Sequence, residues 1–369
     1  MTGSQRSMTS RRGFLRYTGM GALAIGSAGL LAACGDDGGS AAGKGGAAGA
    51  LTKPTRFRIA SAPGDNYFLD QVNVSEKQFE AYNLQIGKLI FPQSGVQAMQ
   101  LLAGGGVDGM VQDPILTMAS YVNGQKGKRP VMVGMRIPET TYSIVANAGT
   151  DFPDDSASFE DKMKALKGKR VGVAAVGAGS DQQLKLALEA AGMTYDDVEH
   201  VGVGQFASGI AQMKAKRLEA YVTVTWATTR LAAAQTGGRV YVDFLADSTP
   251  EVLRNQQVQY FITREDFLEK NPAVIQAWLD AQTEAKDWVV ANPDKAADLL
   301  NKTSFDGKGE QFAKDYITHF TDVVVPKIQP DWRVPKDAVD FMIDIAVQLG
   351  TVKEGQVSYE DLVAESARA

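Results

Sequence analysis

The stretch GKRVGVAAVGAGSDQQLKLALEAAGMTYDDVEHVGVGQFASGIAQMKAKRLEAYVTVTW, Gly168 to Trp226, decides the fold. Residues 170–176 form a short apolar run suited to a strand buried on both faces, and Gly177 and Gly179 open a turn behind it. Ser180 and Asp181 are N-cap residues for a helix in which Leu184, Ala187, Leu188 and Ala191 recur at helical spacing until Gly192 stops it. A second strand is predicted over 200–203, a second helix over 207–215 and a third strand over 218–225. Strand–helix–strand–helix–strand is the pattern of a parallel sheet. Its binding place is the loop Val176-Gly177-Ala178-Gly179-Ser180, where a helix N-terminus meets the carboxyl end of a strand. A tight turn without a ligand is the other reading of that loop.

Upstream, the same architecture recurs without a sequence repeat. Strands are predicted over 57–60, 84–91 and 107–111, with a helix after Ser94-Gly95 and another starting at Pro114, a residue suited to a first helical turn. Residues 130–136 and 141–146 read as two strands with no helix between them. Downstream, a helix over 228–235 and strands over 239–244 and 258–263 precede a mostly helical part, in which Trp278 and Trp288 lie in apolar stripes and are core residues. Crossings between two lobes are expected at 149–158 and 248–254.

The chain of 369 residues is long enough for two α/β domains, and its 44% apolar and 22% charged residues are those of a soluble globular protein. A net charge of -5 gives no reason to expect a nucleic acid partner. Two histidines, one cysteine and no CxxC or HExxH exclude the common zinc arrangements and an internal disulfide, so neither metal nor cofactor is expected.

At the N-terminus, Ser10-Arg11-Arg12-Gly13-Phe14-Leu15 precedes an apolar run over 20–33 that ends Leu31-Ala32-Ala33-Cys34. A basic segment before a short apolar one predicts an export signal, and the run is short for a membrane span. The paired arginines resemble the twin-arginine export signal, and Leu-Ala-Ala-Cys resembles the lipobox cut by the lipoprotein signal peptidase. That resemblance implies that Cys34 becomes the acylated first residue of a palmitate-bearing lipoprotein, anchored on the extracytoplasmic face of the cell membrane. The Gly/Ala-rich residues 35–50 read as a flexible tether.

Further motifs are Leu166-Lys167-Gly168-Lys169-Arg170-Val171-Gly172-Val173, Leu188-Glu189-Ala190-Ala191-Gly192-Met193, Leu218-Glu219-Ala220-Tyr221, Phe267-Leu268-Glu269-Lys270-Asn271-Pro272 and Trp288-Val289-Val290-Ala291-Asn292-Pro293. With the lipobox they resemble the substrate-binding proteins of ABC importers, in the nitrate/sulfonate/taurine branch that also contains thiamine-precursor-binding THI5/NMT1-like domains. The resemblance covers roughly residues 56–300. It implies a two-lobed periplasmic-binding-protein fold of type II, each lobe a mainly parallel sheet flanked by helices. The expected organisation is a signal peptide over 1–33, a lipidated tether over 34–54, lobe I over 55–148 and 250–369, and lobe II over 149–249.

Carried over position by position, the resemblance implies ligand contacts at Pro63, Gly64, Asp65 and Tyr67 after the first strand, at Ser94 and Gly95, and at Gln112 and Asp113. In the second lobe it implies Val176, Gly177, Ala178, Gly179 and Ser180, then Thr225 and Trp226. Sulfonate and nitrate members often carry a Gly-Ser/Thr or paired-threonine sequence in the first of these turns and an acid after the tryptophan, where this chain has Gly177-Ala178-Gly179-Ser180 and Trp226-Ala227. Asp65 and Asp113 add acceptors for a donor on the ligand, although Asp113 before Pro114 is also a natural N-cap. Tyr67 and Trp226 are placed to stack on a planar ring, or else to pack in a core.

The function implied is capture of a small organic solute, heteroaromatic, aromatic carboxylate or sulfonate-like, by a monomeric protein that serves an ABC permease. No bond is broken in that role, and catalytic residues are not expected. A THI5-like or other small-molecule enzyme is the alternative, without a Gly-x-Ser-x-Gly elbow and without a histidine in any candidate loop. A sensory or scaffolding lipoprotein is the third reading.

Overall fold

The computed structural model describes residues 50–204 and 206–369, so the expected signal segment, Cys34 and residues 35–49 of the tether lie outside the described residues. In chain order, β1 (Thr55–Arg56) and β2 (Ile59–Ala60) lead through a 3-10 turn (Asp65–Tyr67) into α1 (Phe68–Ser75). Then follow β3 (Leu84–Gln85), α2 (Gly95–Ala103), β4 (Gly109–Gln112), α3 (Pro114–Asn123) and β5 (Pro130–Ile137). The middle of the chain holds β6 (Ser143–Ala146), β7 (Arg170–Val173), α4 (Gly179–Ala190), β8 (Glu199–Gly202), α5 (Phe206–Lys214), β9 (Ala220–Thr223), α6 (Trp226–Thr236) and β10 (Arg239–Asp243). After β11 (Gln259–Arg264) come α7 (Pro272–Ala291), α8 (Pro293–Ser304), α9 (Glu310–His319) and α10 (Lys336–Gln348).

Two sheets carry the two lobes. The first has the order β2-β4-β11-β5 and the second β10-β6-β9-β7-β8, while β1 and β3 form a separate parallel pair. Both main sheets are mixed, which corrects the expectation of mainly parallel ones. Within the first, β11 runs antiparallel to β4 and to β5; within the second, β6 runs antiparallel to β9 and to β10. These two reversed strands are the ones with which the chain arrives from the other lobe. Parallel strands end at the edge facing the other lobe, so a chain crossing there must start its next strand at that edge and run away from it. The pairing of Tyr260 with Gln112, and of Ser143 with Thr223, shows both reversed strands beginning beside the ends of parallel ones.

Because β6 belongs to the second sheet, the first crossing falls at 138–142, ahead of the expected 149–158. The return crossing follows Gln256, whose side chain still exchanges hydrogen bonds with Gln183 of α4 at 2.5 and 2.9 Å. The strand expected over 84–91 is cut to two residues, since Gly87 turns the backbone at φ +70° and Ile90 rejoins only as a single bridge to Ala60.

Helix α7 closes the outer face of the first sheet with the fully buried Trp278, whose ring lies 5.2 Å from Phe57 and 5.1 Å from Phe261. Trp288, expected in the core, is half-buried at its margin. Gly109 of β4 lies under these rings, where a Cβ would meet Phe57 Cζ at 2.5 Å. Between β5 and α1 the core contains an ion pair, with Arg136 Nη1 3.2 Å from Asp70 Oδ1 and both side chains almost wholly buried. Ser61 Oγ and Gln282 Nε2 also donate to Asp70, at 2.8 and 2.9 Å.

One carboxylate thus joins the end of β2, α1, β5 and α7. Removing only one partner of such a pair leaves a buried charge, at a cost of about 3–5 kcal/mol. Arg136→Met should therefore lower the unfolding free energy in urea by that amount, and adding Asp70→Leu should restore much of it. A loss under about 1 kcal/mol for the single variant would show that the pair does not hold these elements together.

Candidate functional site

The carboxyl ends of β2, β4 and β5 face those of β7, β8 and β9 across the junction of the two lobes, where an open α/β sheet takes its ligands. The residues expected to bind a ligand gather at this junction. Most of their polar side chains are engaged by other groups of the chain.

Helix α6 starts at Thr225, whose side chain makes no cap hydrogen bond to the helix. Two donors of its first turn, both buried, are satisfied from the opposite lobe. Asp65 Oδ2 accepts from the Ala227 N–H at 2.9 Å and Oδ1 from the Thr228 N–H at 3.2 Å. Asp65 is buried, which raises its pKa, while the two N–H bonds pull it back down. Its neighbours are held as well. The Gly64 N–H donates to Ser304 Oγ at 3.0 Å, and Asn66 Nδ2 donates to Val224 O at 2.7 Å and Thr141 Oγ1 at 3.0 Å. Gly64 has φ +126° and ψ 164°, a conformation open essentially to glycine alone.

A second contact joins Asp113 to the turn before α4. Asp113 caps α3, its Oδ1 accepting from Ile115 and Leu116 N–H groups, and its Oδ2 accepts from Tyr142 Oη–H at 3.0 Å. Burial raises its pKa to about 6 against those three bonds. A Cβ on Gly179 would lie 2.5 Å from Tyr142 Oη and 3.5 Å from Asp113 Cβ, so only glycine permits this approach. Ser180 turns its hydroxyl inward to accept from the Ala174 N–H at 2.9 Å, and Ala178 is buried. Gly177 turns at φ +80°, and Val176 is 60% exposed. Ser94 caps α2 by accepting from the Gln97 N–H. Tyr67, Ser94, Gly95 and Gln112 surround a void of only about 20 Å³, and burial lifts the Tyr67 phenol to about 12.

Trp226 has both faces covered. His319 of α9 stacks on one, with centroids 4.8 Å apart and planes at 11°, and the Arg230 guanidinium lies 3.5 Å over the ring. His319 Nε2 is 2.6 Å from Glu139 Oε1, and Lys327 Nζ is 3.0 Å from Glu139 Oε2; Arg230 in turn reaches Asp243 at 3.0 Å. These pairings outweigh the burial of Glu139 and hold its carboxyl below its ordinary range. In the sequence, His319 and Glu139 stand far from every candidate loop.

Space for a ligand lies beside this sealed region. A cavity of about 510 Å³ opens between α5 and α6 of the second lobe and the 303–308 turn of the first. Phe206, Ile210 and Leu231 supply an apolar wall, and Ser208, Lys214, Gln235, Asp306 and Lys308 supply polar groups of both charge signs. Of the expected residues only Pro63 lines it. The start of α5 follows the carboxyl end of β8, and Gly204 turns there at φ +77°, so the strand-end rule applied to β8 would have pointed to it. Another cavity, of about 460 Å³, is formed by the first lobe alone around Asn73, Phe79 and Leu84. Among the described residues, no group of three or more His, Cys, Asp or Glu is placed to hold a metal ion, and no helix is long and apolar enough to cross a membrane.

With this geometry in place, comparison with known proteins gives a consistent result. The family model described as NMT1/THI5 like matches residues 78–296, more than half of the chain. The chain belongs to the NMT1/THI5-like family. A Brucella abortus (strain 2308) protein described as a binding protein is 28% identical over 166 residues, covering 43% of this chain and 49% of the relative. The match thus spans about half the length of that relative. A Bordetella bronchiseptica RB50 structure superposes with a TM-score of 0.66 at 18% identity, over 85% of this chain and 95% of its own. The periplasmic aliphatic sulphonate binding protein SsuA of Escherichia coli gives 0.63 at 20% identity, over 86% and 94%. This member of the NMT1/THI5-like family therefore has the two-lobed α/β periplasmic-binding-protein fold.

Its Asp113 provides a titration with a definite sign. A folded pKa of about 6, above the ordinary aspartate value, means that this group favours folding below the unfolded pKa and that the contribution is lost as pH rises through about 6. Unfolding free energies measured from pH 4 to 6 should fall relative to those of Asp113→Asn, which still caps α3. Tyr142→Phe removes a donor to the carboxylate, so the Asp113 titration followed by NMR should move further up. A downward move would contradict the arrangement.

Proposed function

We propose that this protein is the extracytoplasmic solute-binding component of an ABC importer and takes one small organic molecule between its lobes. The observation that carries the reading is the cavity of about 510 Å³ shared by α5, α6 and the 303–308 turn, because its walls come from both lobes and change whenever the lobes move. Residues 138–142 and the segment after Gln256 are the hinge strands of that motion. Family membership and the fold support binding without chemistry, and the two histidines are each engaged, His200 with Asp181 and His319 with Glu139.

The ligand class follows from the wall. Phe206, Ile210, Leu231 and Pro63 suit an apolar or aromatic body, and Lys214 and Lys308 stand on opposite lobes to meet a polar or anionic end. Aromatic carboxylates, heteroaromatics with an acidic substituent and sulfonates with a sizeable organic part satisfy both. Bare nitrate leaves the apolar wall unused. Stacking on Trp226 is not part of this reading, since Arg230 and His319 cover the ring.

A thermal-shift screen over those classes, with nitrate and taurine included, tests the proposal. The bound solute should raise the unfolding free energy by about 2.7 kcal/mol at a hundredfold excess over Kd. Ser208→Trp, which fills the cavity from the exposed face of α5, should abolish the shift. A solute that stabilises Ser208→Trp as well as the parent binds elsewhere, and its multiple turnover by the protein would establish an enzyme instead.

The same reading places the protein on the outer face of the cell membrane, held through Cys34 and working with a permease. Two or more acyl chains at about 0.8 kcal/mol per buried methylene give stable attachment. Cys34→Ala should therefore move the protein from the membrane to the soluble fraction after cell fractionation. Unchanged membrane association of that variant would remove the lipid anchor from the proposal.

A further inference from the structure

The first turn of α6 presents N–H donors at the junction of the lobes, and they are filled by a carboxylate of the same chain. Its N–H groups without intrahelical partners and the positive end of an eleven-residue helix point across the cleft. Two of those N–H groups donate to Asp65, at 2.9 and 3.2 Å. The approach is built and not incidental. Gly64 takes a glycine-only conformation immediately before Asp65, its N–H is held by Ser304, Tyr316 Oη–H donates to the Asp65 carbonyl at 3.2 Å, and Asn66 ties the next residue to Val224 O. Every one of these bonds keeps the carboxylate aimed at the opposite lobe.

We propose that Asp65 is a latch between the lobes which occupies the helix end a small oxyanion would otherwise use, and so makes the cleft select against bare nitrate and small sulfonates. A carboxylate on the first turn of α6 satisfies the same two donors as a ligand oxyanion would, and a second anion brought beside it meets a buried like charge. The selectivity half of the inference rests on the binding reading above; the latch half does not. The solute must therefore bring its charge to Lys214 and Lys308 at the mouth, or have none.

The test uses the full chain with Cys34→Ser, labelled at Lys302→Cys in the first lobe and Arg217→Cys in the second, both exposed. Electron–electron distance measurement should give one narrow inter-lobe distribution for the parent, unchanged by methanesulfonate or nitrate. Asp65→Ala should broaden and lengthen that distribution, and methanesulfonate should narrow it again by taking the vacated donors. By calorimetry, Asp65→Ala should bind methanesulfonate at least about tenfold more tightly than the parent, a difference of about 1.4 kcal/mol. Gly64→Ala disturbs the latch through the backbone while leaving the carboxylate present, and Asp65→Asn keeps the shape; both should lengthen the distance less than Asp65→Ala does.

Unchanged distances in Asp65→Ala and Gly64→Ala would overturn the latch. Equal methanesulfonate affinity in parent and Asp65→Ala would overturn the selectivity. Failure of the organic-solute screen leaves both of these readouts intact, so the two proposals fail separately.

Discussion

Helix α6 begins with N–H groups that its own N-cap residue does not satisfy, and much of the junction between the lobes follows from how they are satisfied. Thr225 supplies the N-cap position without a side-chain cap bond, so the donors of Ala227 and Thr228 require an acceptor from outside the helix. Asp65 provides it from the other lobe. To reach there the chain after β2 must turn sharply at Gly64, and the turn is fastened to α8 through Ser304 and to α9 through Tyr316. The helical C-terminal part thereby becomes a brace for the cleft. Its outermost contribution, His319 on the face of Trp226, closes the same helix end from a second side.

The order of elements was legible because short buried strands and capped helices carry local signals. Residues 170–173, 199–202 and 220–223 form strands close to the apolar runs that predicted them, and the helix from Gly179 begins in the glycine-bearing turn. Strand direction was not legible. Nothing in Ser143–Ala146 or Gln259–Arg264 distinguishes a reversed strand from a parallel one, since both are apolar runs buried on two faces. Direction is fixed by the crossing of the chain at the facing edge, a tertiary fact with no local composition. For the same reason the first crossing was expected ten or so residues late: the polar, proline-containing 149–158 looks like a linker, whereas the actual crossing at 138–142 carries the buried Glu139, Thr140 and Thr141.

For the candidate residues, the junction they share was readable and the groups they face were not. The family resemblance named Asp65, Asp113, Gly179, Thr225 and Trp226 as contacts, in keeping with the rule that ligands gather at strand ends, and these residues lie at one junction. The rule cannot say whether a polar atom faces a ligand or another polar atom of the chain. Asp113 divides its two oxygens between α3 and Tyr142, Ser180 turns back on its own strand, and Trp226 has a cation on one face and an imidazole on the other. Two of these partners are remote in sequence, Tyr142 by 29 residues and His319 by 93, and left no signal at the candidate loop. The open volume falls instead at α5 and the 303–308 turn. The first of these follows the same strand-end rule, and the second has no sequence signal, because a turn between two surface helices is defined only by what it faces.

A cleft held by its own side chains changes the energetics of binding. When lobes touch only through a ligand, the solute must supply the whole free energy of closing, and its apparent affinity falls by the fraction of molecules that are closed. Here the carboxylate on α6, the Asn66 bonds and the stack of His319 on Trp226 already favour the closed arrangement. Under the proposed role, a solute at the mouth adds contacts against Phe206 and Leu231 without having to create those. The corresponding cost is discrimination. Under the proposed role, a permease that recognised lobe closure alone would accept a protein closed by its latch, and the surface left to report a solute is the part that the latch does not control: the rim formed by α5 and the 303–308 turn, where the two lobes meet across the cavity and no hydrogen bond described between them ties one side to the other.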